Sequence, residues 1–278
     1  MPAANARAIE KARSLPCDVV ILDLEDAVAP DAKGAARDQA VQAVKAGGFG
    51  GREVVIRVNG LETPWGAADL AAAVEAQPDA ILVPKVAAPQ DVEAYDAAVR
   101  GKPRLWAMIE TCAAMFRLEA IAGAARTTRL DAWVIGTNDL AKEMRCRQGV
   151  DRAPLAPLLA LAVAAARAQE IVILDGVFND IDDAAGLARQ CAQGVEFGFD
   201  GKTLIHPSQI GPANAAFSPD PGEVAWARKV AAAFEIPENS VKGVLRVDGR
   251  MVERLHLAEA MRLIAVADAI TAHEARDG

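Results

Sequence analysis

Short runs of apolar, β-branched residues recur along the chain. Each is followed by a stretch whose apolar positions return every three or four residues, the alternation expected of βα units around a parallel sheet. The runs are Asp18–Leu24, Glu53–Asn59, Ala80–Lys85, Arg104–Glu110, Ala132–Gly136, Ile171–Asp175 and Val195–Phe199. Helical periodicity occupies Lys33–Lys45, Ala67–Ala76, Gln90–Val99, Cys112–Ala122, Leu155–Ala168 and Asp182–Gln193. Segments such as Val-Val-Ile-Leu and Ala-Ile-Leu-Val-Pro are apolar on both faces, as in a parallel sheet covered on both sides. The pattern predicts an α/β fold, a (β/α)8 TIM barrel lacking its first strand, because a closed barrel needs one strand more than these seven runs supply. A helix at about Ala4–Ser14 opens the chain, so the preceding strand would lie upstream of Met1, and the expectation is of a truncated barrel with bare edges at Asp18–Leu24 and Val195–Phe199.

Beyond the last run the pattern changes. Gly211-Pro212 and Ser218-Pro219-Asp220-Pro221-Gly222 interrupt the chain before a helix at about Glu223–Phe234. A hairpin follows over Val241–Val252, with Asp248-Gly249 as its turn, and an amphipathic helix at about Leu257–Ala272 comes last. Two parts are therefore expected: a barrel domain over 1–210, and a lid and oligomerisation segment over 211–278.

Composition narrows the function. With 278 residues, 52% of them hydrophobic, the chain can bury a substantial core. A formal net charge of -8, with no basic run, argues against nucleic acid. The scattered Cys17, Cys112, Cys146 and Cys191 form neither a zinc set nor a paired motif and suit a reducing, cytoplasmic setting. No signal peptide and no bilayer-length apolar stretch is evident, so no membrane partner is expected.

Candidate chemistry sits where strands give way to loops, the mouth of a βα barrel. The strand ends read Asp23-Leu24-Glu25-Asp26, Arg57-Val58-Asn59-Gly60, Pro84-Lys85, Glu110-Thr111, Gly136-Thr137-Asn138-Asp139, Asp175-Gly176 and Asp200-Gly201-Lys202. One such carboxylate could be a helix N-cap, whereas several converging on one axis repel each other unless a cation lies between them. Glu110 and Asp139 end neighbouring strands and are the expected ligands of Mg²⁺, or of Mn²⁺. Arg57 could face a carboxylate or a developing enolate, or pair with Glu25 or Asp26. Lys85 points at the mouth and suits charge balance better than a Schiff base. The backbone of Gly136, Thr137 and Asn138, entering a helix, could receive a substrate carboxylate. His206, before a proline, reads as a loop cap more readily than as an acid–base group.

Taken together, these phrases resemble the HpcH/HpaI aldolase/citrate lyase family, in its citrate lyase β-subunit-like branch. The resemblance rests on Val-Ile-Leu-Asp-Leu-Glu-Asp-Ala-Val, Ile-Arg-Val-Asn-Gly, Leu-Val-Pro-Lys-Val, Met-Ile-Glu-Thr, Ile-Gly-Thr-Asn-Asp-Leu and Gly-Phe-Asp-Gly-Lys-Thr-Leu-Ile-His-Pro-Ser-Gln, in order along almost the whole chain. It implies a TIM barrel whose C-terminal segment reaches a neighbouring subunit in a homotrimer or hexamer, with Mg²⁺ on Glu110 and Asp139 and Arg57 on the acyl substrate. Lys202 and His206 would lie near the coenzyme A entrance, and Glu25 and Asp26 beside the metal as acid–base support. Relatives usually begin with a strand of the type Arg-Ser-x-Leu-Phe-x-Pro-Gly, of which only Met1-Pro2-Ala3 is present. Many carry Asp in a Met-Ile-Asp phrase of the lid where this chain has Glu253, a candidate base from the neighbour.

The implied activity is a Mg²⁺-dependent carbon–carbon lyase, cleaving or forming a 3-hydroxyacyl-CoA such as malyl-CoA, citramalyl-CoA or citryl-CoA with an acyl-CoA and a 2-oxo acid as the other partners. Two alternatives remain: an acyl-CoA thioesterase or malate synthase-like activity on the same site, and a non-catalytic acyl-CoA binder or truncated inactive form.

Overall fold

The first unit of the computed structural model, Met1–Phe217, alternates strand and helix. In chain order it holds α1 (Ala6–Ala12), β1 (Val19–Asp23), α2 (Lys33–Ala46), β2 (Glu53–Arg57), α3 (Gly66–Ala76), β3 (Ala80–Val83), α4 (Pro89–Ala98) and β4 (Arg104–Ile109). The helices α5 (Cys112–Met115) and α6 (Leu118–Gly123) follow, then β5 (Leu130–Ile135), α7 (Thr137–Met144), α8 (Ala156–Arg167), β6 (Val172–Asp175), α9 (Ala184–Phe197), β7 (Gly201–Lys202) and α10 (Ile210–Phe217). The structure describes residues 1–149, 151–239 and 241–277.

The seven strands lie in sequence order in one sheet, every pair parallel. Side chains alternate across a strand, and here each face has its own core. Val19, Ile21, Val55, Leu82, Trp106, Met108, Val134 and Leu174 meet on the inner face. Leu22, Ile56, Ile81, Ile109, Ile135 and Ile173 pack with helix residues such as Leu70, Ile121 and Leu159 on the outer one. Two-sided burial is why the strands read as unbroken apolar runs.

This architecture is the incomplete barrel that the sequence pattern predicts, with one difference at each open edge. The β1 edge is not bare: the Met1 amine donates to Ile21 O at 2.9 Å. The N–H of Asp23 donates to Met1 O, and that of Ala3 to Asp23 O, each at 2.9 Å, so Pro2 forms a parallel bridge with Asp23. At the other edge, Val195–Phe199 is not a strand. The helix α9 runs on to Phe197 and stops at Gly198, whose φ of 89° supplies the left-handed cap; the seventh strand is the short Gly201–Lys202. Alternation in Val195, Phe197 and Phe199 imitates a strand, but Val195 and Phe197 still belong to the helix. Between the two edges lies a cavity of about 610 Å³, bordered by Val19, Ile21, Leu174, Ile205 and Phe217.

The expected helix Cys112–Ala122 is two helices, broken where Phe116 and Arg117 leave helical geometry. The second unit, Ser218–Gly278, holds α11 (Pro221–Glu235), the antiparallel β8 (Val244–Val247) and β9 (Arg250–Glu253), and α12 (Arg254–Asp277). Asp248 and Gly249, at φ 46° and 82°, make the hairpin turn read from the sequence. The division falls after Phe217 rather than at 210, because α10 packs on α9, with Ala213 against Leu187 and Cys191.

Candidate active site

Continuing the inward row of each strand past its last apolar residue gives the floor of the mouth. Above Ile21 stands Asp23, above Val55 Arg57, above Met108 Glu110 and above Val134 Gly136. Asp23 and Arg57 are register partners, and the guanidinium grips the carboxylate with both arms: Nε donates to Oδ1 at 2.6 Å and Nη2 to Oδ2 at 2.5 Å. The N–H groups of Glu25 and Ala27 donate to the same carboxylate. Burial alone would raise the Asp23 carboxyl, but Arg57 and these N–H groups hold it below the usual carboxylate range. The sequence shows Asp23 among the strand-end residues, and only its register with Arg57 reveals it as the clamp on that guanidinium.

Arg57 Nη1 reaches Glu25 Oε2 at 2.9 Å and Asp26 Oδ2 at 3.6 Å. The first contact lacks hydrogen-bond alignment, since Glu25 Oε2 is a buried atom without such a partner; it is an ion pair. Asp26 is largely exposed, whereas Glu25 is buried. Burial pushes the Glu25 carboxyl up, only partly offset by Arg57.

Lys85 bridges the two sides of the mouth. Its ammonium donates to Glu25 Oε1 at 3.2 Å and Asp139 Oδ2 at 2.8 Å, and its backbone N–H donates to Glu110 Oε1 at 2.9 Å. That arrangement needs a left-handed backbone, φ 53°, a strained state for a side chain as long as lysine. Burial would lower the ammonium, but Asp139, Glu25 and Glu110 together raise it above its ordinary value. Glu110, 2% exposed, has its carboxyl pushed up to about 7, first by burial and then by the charge of Glu25. A methyl group on Gly136 would run into the Glu110 carboxylate, so only glycine leaves room for it there.

The helix α7 begins just above, and it carries Asp139 in its first turn. Asn138 exchanges amide hydrogen bonds with Asn179 at 3.1 and 2.8 Å. Thr137 Oγ1 is buried with no hydrogen-bond partner. Arg57, Glu25, Asp26, Lys85, Glu110, Gly136 and Asp139 are thus brought together, with a cavity of about 340 Å³ beside Glu25, Asp26 and Lys85.

The remaining expected residues lie elsewhere. Lys202 is in register with Asp175, one residue beyond the inward-facing Leu174, so both point outward toward the helices. Its ammonium, fully buried, donates to Asp175 Oδ2 at 2.9 Å, to Gln190 Oε1 at 2.6 Å and to Gly176 O. Arg152, equally buried, donates to Asp175 Oδ1 at 2.7 Å. Burial pulls the Lys202 ammonium below its usual range. This side chain braces the β6–β7 edge: the residue borders the larger cavity, but its three ammonium donors are all taken within the protein. Sequence reasoning missed Arg152 because it stands in a loop without periodicity. His206 caps the turn that follows it, with Nδ1 at 2.8 Å from Ser208 Oγ, and lies on the wall of the larger cavity. Glu253 ends β9 in the second unit, where its N–H donates to Nδ1 of His256 at 2.9 Å.

Among the described residues, no group of three or more His, Cys, Asp and Glu side chains is placed to cage a metal ion. The donors fit an ion that takes two carboxylates and completes its shell with water and substrate oxygens, as Mg²⁺ does. Glu110 is held in position by Lys85 N–H and given room by Gly136. The Lys85 ammonium already pairs with Asp139, which shows the charge that this cluster requires.

Residues 1–207 match the family described as HpcH/HpaI aldolase/citrate lyase. The chain belongs to this family. It is 47% identical to a (3S)-malyl-CoA thioesterase of Cereibacter sphaeroides over 275 residues, 99% of this chain and 95% of that protein. An L-malyl-CoA/beta-methylmalyl-CoA lyase of Cereibacter sphaeroides is 32% identical, over 98% and 94% of the two chains. A crystal structure of CitE from Mycobacterium tuberculosis in complex with magnesium, acetoacetate and coenzyme A superposes with a TM-score of 0.77 at 28% identity, covering 96% of each chain.

These matches establish an enzyme, with relatives named for coenzyme A esters, and they correct the expected carbon–carbon lyase. Relatives named thioesterase share 44–47% identity with this chain along nearly its full length, well above the 32% of the malyl-CoA lyase. The motifs read from the sequence lie in the scaffold and mouth and do not by themselves tell hydrolysis from carbon–carbon cleavage. No helix of the described residues is long and apolar enough to cross a membrane.

Proposed function

We propose that this chain hydrolyses the thioester bond of a hydroxydicarboxylic acid linked to coenzyme A, of the (3S)-malyl-CoA type. The observation that carries the reading is the 47% identity to a (3S)-malyl-CoA thioesterase along 99% of the chain. The reaction consumes one water: its oxygen bonds to the thioester carbon, the carbon–sulfur bond breaks, and the sulfur leaves as the thiol of coenzyme A.

Glu110 and Asp139 would hold Mg²⁺, whose charge would draw the hydroxyl and carboxylate oxygens of the acid and offset negative charge in the pocket. Arg57, fixed by Asp23, presents a guanidinium that cannot swing away, a preorganised partner for oxyanion charge on the former carbonyl. Glu25 is buried and raised, which suits it to take the proton of the attacking water. Lys85 holds Glu25 and Asp139 apart at a set distance, and Asp26, exposed at the rim, adds negative charge beside Arg57. The N–H groups at Gly136, Thr137 and Asn138 open α7 toward the same space and suit the distal carboxylate.

Of the residues expected at the coenzyme entrance, Lys202 and His206 both border the larger cavity, and with the Lys202 ammonium committed to Asp175, Gln190 and Gly176 the imidazole of His206 is the better candidate. Glu253 is a candidate carboxylate from a second copy of the chain. In the second unit Met251, Leu255 and Met261 are exposed apolar side chains, which supports assembly into a homo-oligomer through that unit.

The test is incubation with (3S)-malyl-CoA and Mg²⁺ while free thiol and glyoxylate are followed separately. Thiol rising with free malate, and no glyoxylate, supports the thioesterase. Glyoxylate with acetyl-CoA and no thiol refutes it.

A further inference from the structure

Lys33, at the start of α2, is a charged side chain only 6% exposed, and the catalytic scheme makes no use of it. Its ammonium donates to Leu24 O at 2.9 Å, to Glu25 O at 2.9 Å and to Asn59 Oδ1 at 2.7 Å. It also lies 5.1 Å from the centre of the Trp65 ring. All three acceptors are neutral. Removing an ammonium from water without a carboxylate partner is costly, and the three buried acceptors are what offset that cost.

What the ammonium holds is informative. Leu24 and Glu25 are the two residues at which β1 gives way to the acidic loop, and their carbonyls are the ones gripped. Asn59, the third acceptor, donates its own amide to Leu24 O at 2.8 Å and to Asp69 Oδ2 at 2.5 Å, and Arg37 Nε closes on Asp69 Oδ1 at 2.6 Å. The result is a brace of Lys33, Asn59, Asp69 and Arg37 that fixes the backbone aiming Glu25 at Arg57 and Lys85; Lys33 and Asn59 border the same cavity as Glu25 and Lys85. An ammonium has three donors, and all three are used, so none is left for substrate.

We infer that Lys33 is a positioning residue, acting on the reaction only through the placement of Glu25. The kinetic part of this inference rests on the thioesterase reading. Misplacing a reacting group by about 1 Å is enough to cost on the order of 100-fold in rate.

The test is Lys33→Met, in otherwise wild-type protein and in a Glu25→Gln background, assayed for thiol release from (3S)-malyl-CoA. The single variant is expected to lose about 30-fold or more in kcat with KM changed less than about 3-fold, and in the Gln background to lose less than about 3-fold further. Unchanged kcat, or losses that multiply, overturns the inference. Should Lys33→Met not fold, Lys33→Gln, whose amide keeps two of the three donors, is used in the same cycle. Hydrogen exchange across residues 24–28 gives a second readout, independent of turnover. Protection is expected to fall there in the variant while β2 to β5 stay protected, and unaltered exchange overturns the inference. Wild-type protein that releases no thiol counts against the thioesterase reading, and the exchange experiment then decides the role of Lys33 by itself.

Discussion

Replacing Glu110 with glutamine tests the electrostatics of the site without breaking its geometry, because a glutamine oxygen can still accept from the N–H of Lys85. In metal-free protein the Glu110 carboxyl is half-ionised at about 7 rather than 4.5. Between those values the folded state keeps a proton that the unfolded chain has lost, so stability falls as pH rises through this window. At about 1.4 kcal/mol per pH unit, the loss amounts to about 3 kcal/mol once pH exceeds 7. The side chain is almost wholly buried, so solvent screening takes little from that figure. Urea melts in EDTA at pH 5 and pH 8.5 would measure it. Wild-type protein should lose about 2.5 kcal/mol more than Glu110→Gln between the two, because pH 5 already lies above the unfolded value, and the variant should be the more stable at pH 8.5. Adding Mg²⁺ at pH 8.5 should stabilise wild-type protein and leave the variant unmoved. Parallel pH curves for the two proteins, or equal stabilisation by Mg²⁺, would refute the placement of a strained carboxylate at this position.

Three further outcomes are expected. Gly136→Ala places a methyl group against the Glu110 carboxylate and should cost about 1–3 kcal/mol in a urea melt, with Mg²⁺ affinity by calorimetry falling at least about tenfold. Asp23→Asn strips Arg57 of its two-armed partner and should destabilise by about 3–5 kcal/mol at pH 7. Because the Asp23 carboxyl titrates below its ordinary value of 3.8, the difference between variant and wild type should be complete above that pH and shrink as pH falls beneath it. Leu255→Asp, at an exposed apolar position of α12, should lower the mass measured by light scattering toward the 29.1 kDa of one chain, and an unchanged mass would exclude this face from the assembly.

Much of the mouth was legible in the sequence because strand parity places it. Once Ile21, Val55, Met108 and Val134 are read as inward, the residues two positions later, Asp23, Arg57, Glu110 and Gly136, follow. The sequence pattern misplaces the last strand, at Val195–Phe199 rather than Gly201–Lys202. The family resemblance sets Lys202 at the coenzyme entrance; in register with Asp175, its ammonium is instead engaged by Asp175 and Gln190. Helix periodicity also hides Lys33, since a lysine opening a helix ordinarily reads as solvent-facing, and only the return of β1 and β2 over it buries the charge. The choice between hydrolysis and carbon–carbon cleavage was not legible, for Glu110, Asp139 and the clamped Arg57 suit either reaction.

The most direct test of the proposed activity follows the water. When (3S)-malyl-CoA is turned over in ¹⁸O-labelled water with Mg²⁺, hydrolysis at the thioester predicts intact malate carrying one labelled oxygen in the carboxylate that had been bound to sulfur, together with an equal amount of free coenzyme A. Glyoxylate and acetyl-CoA as products, with no labelled malate, would contradict it.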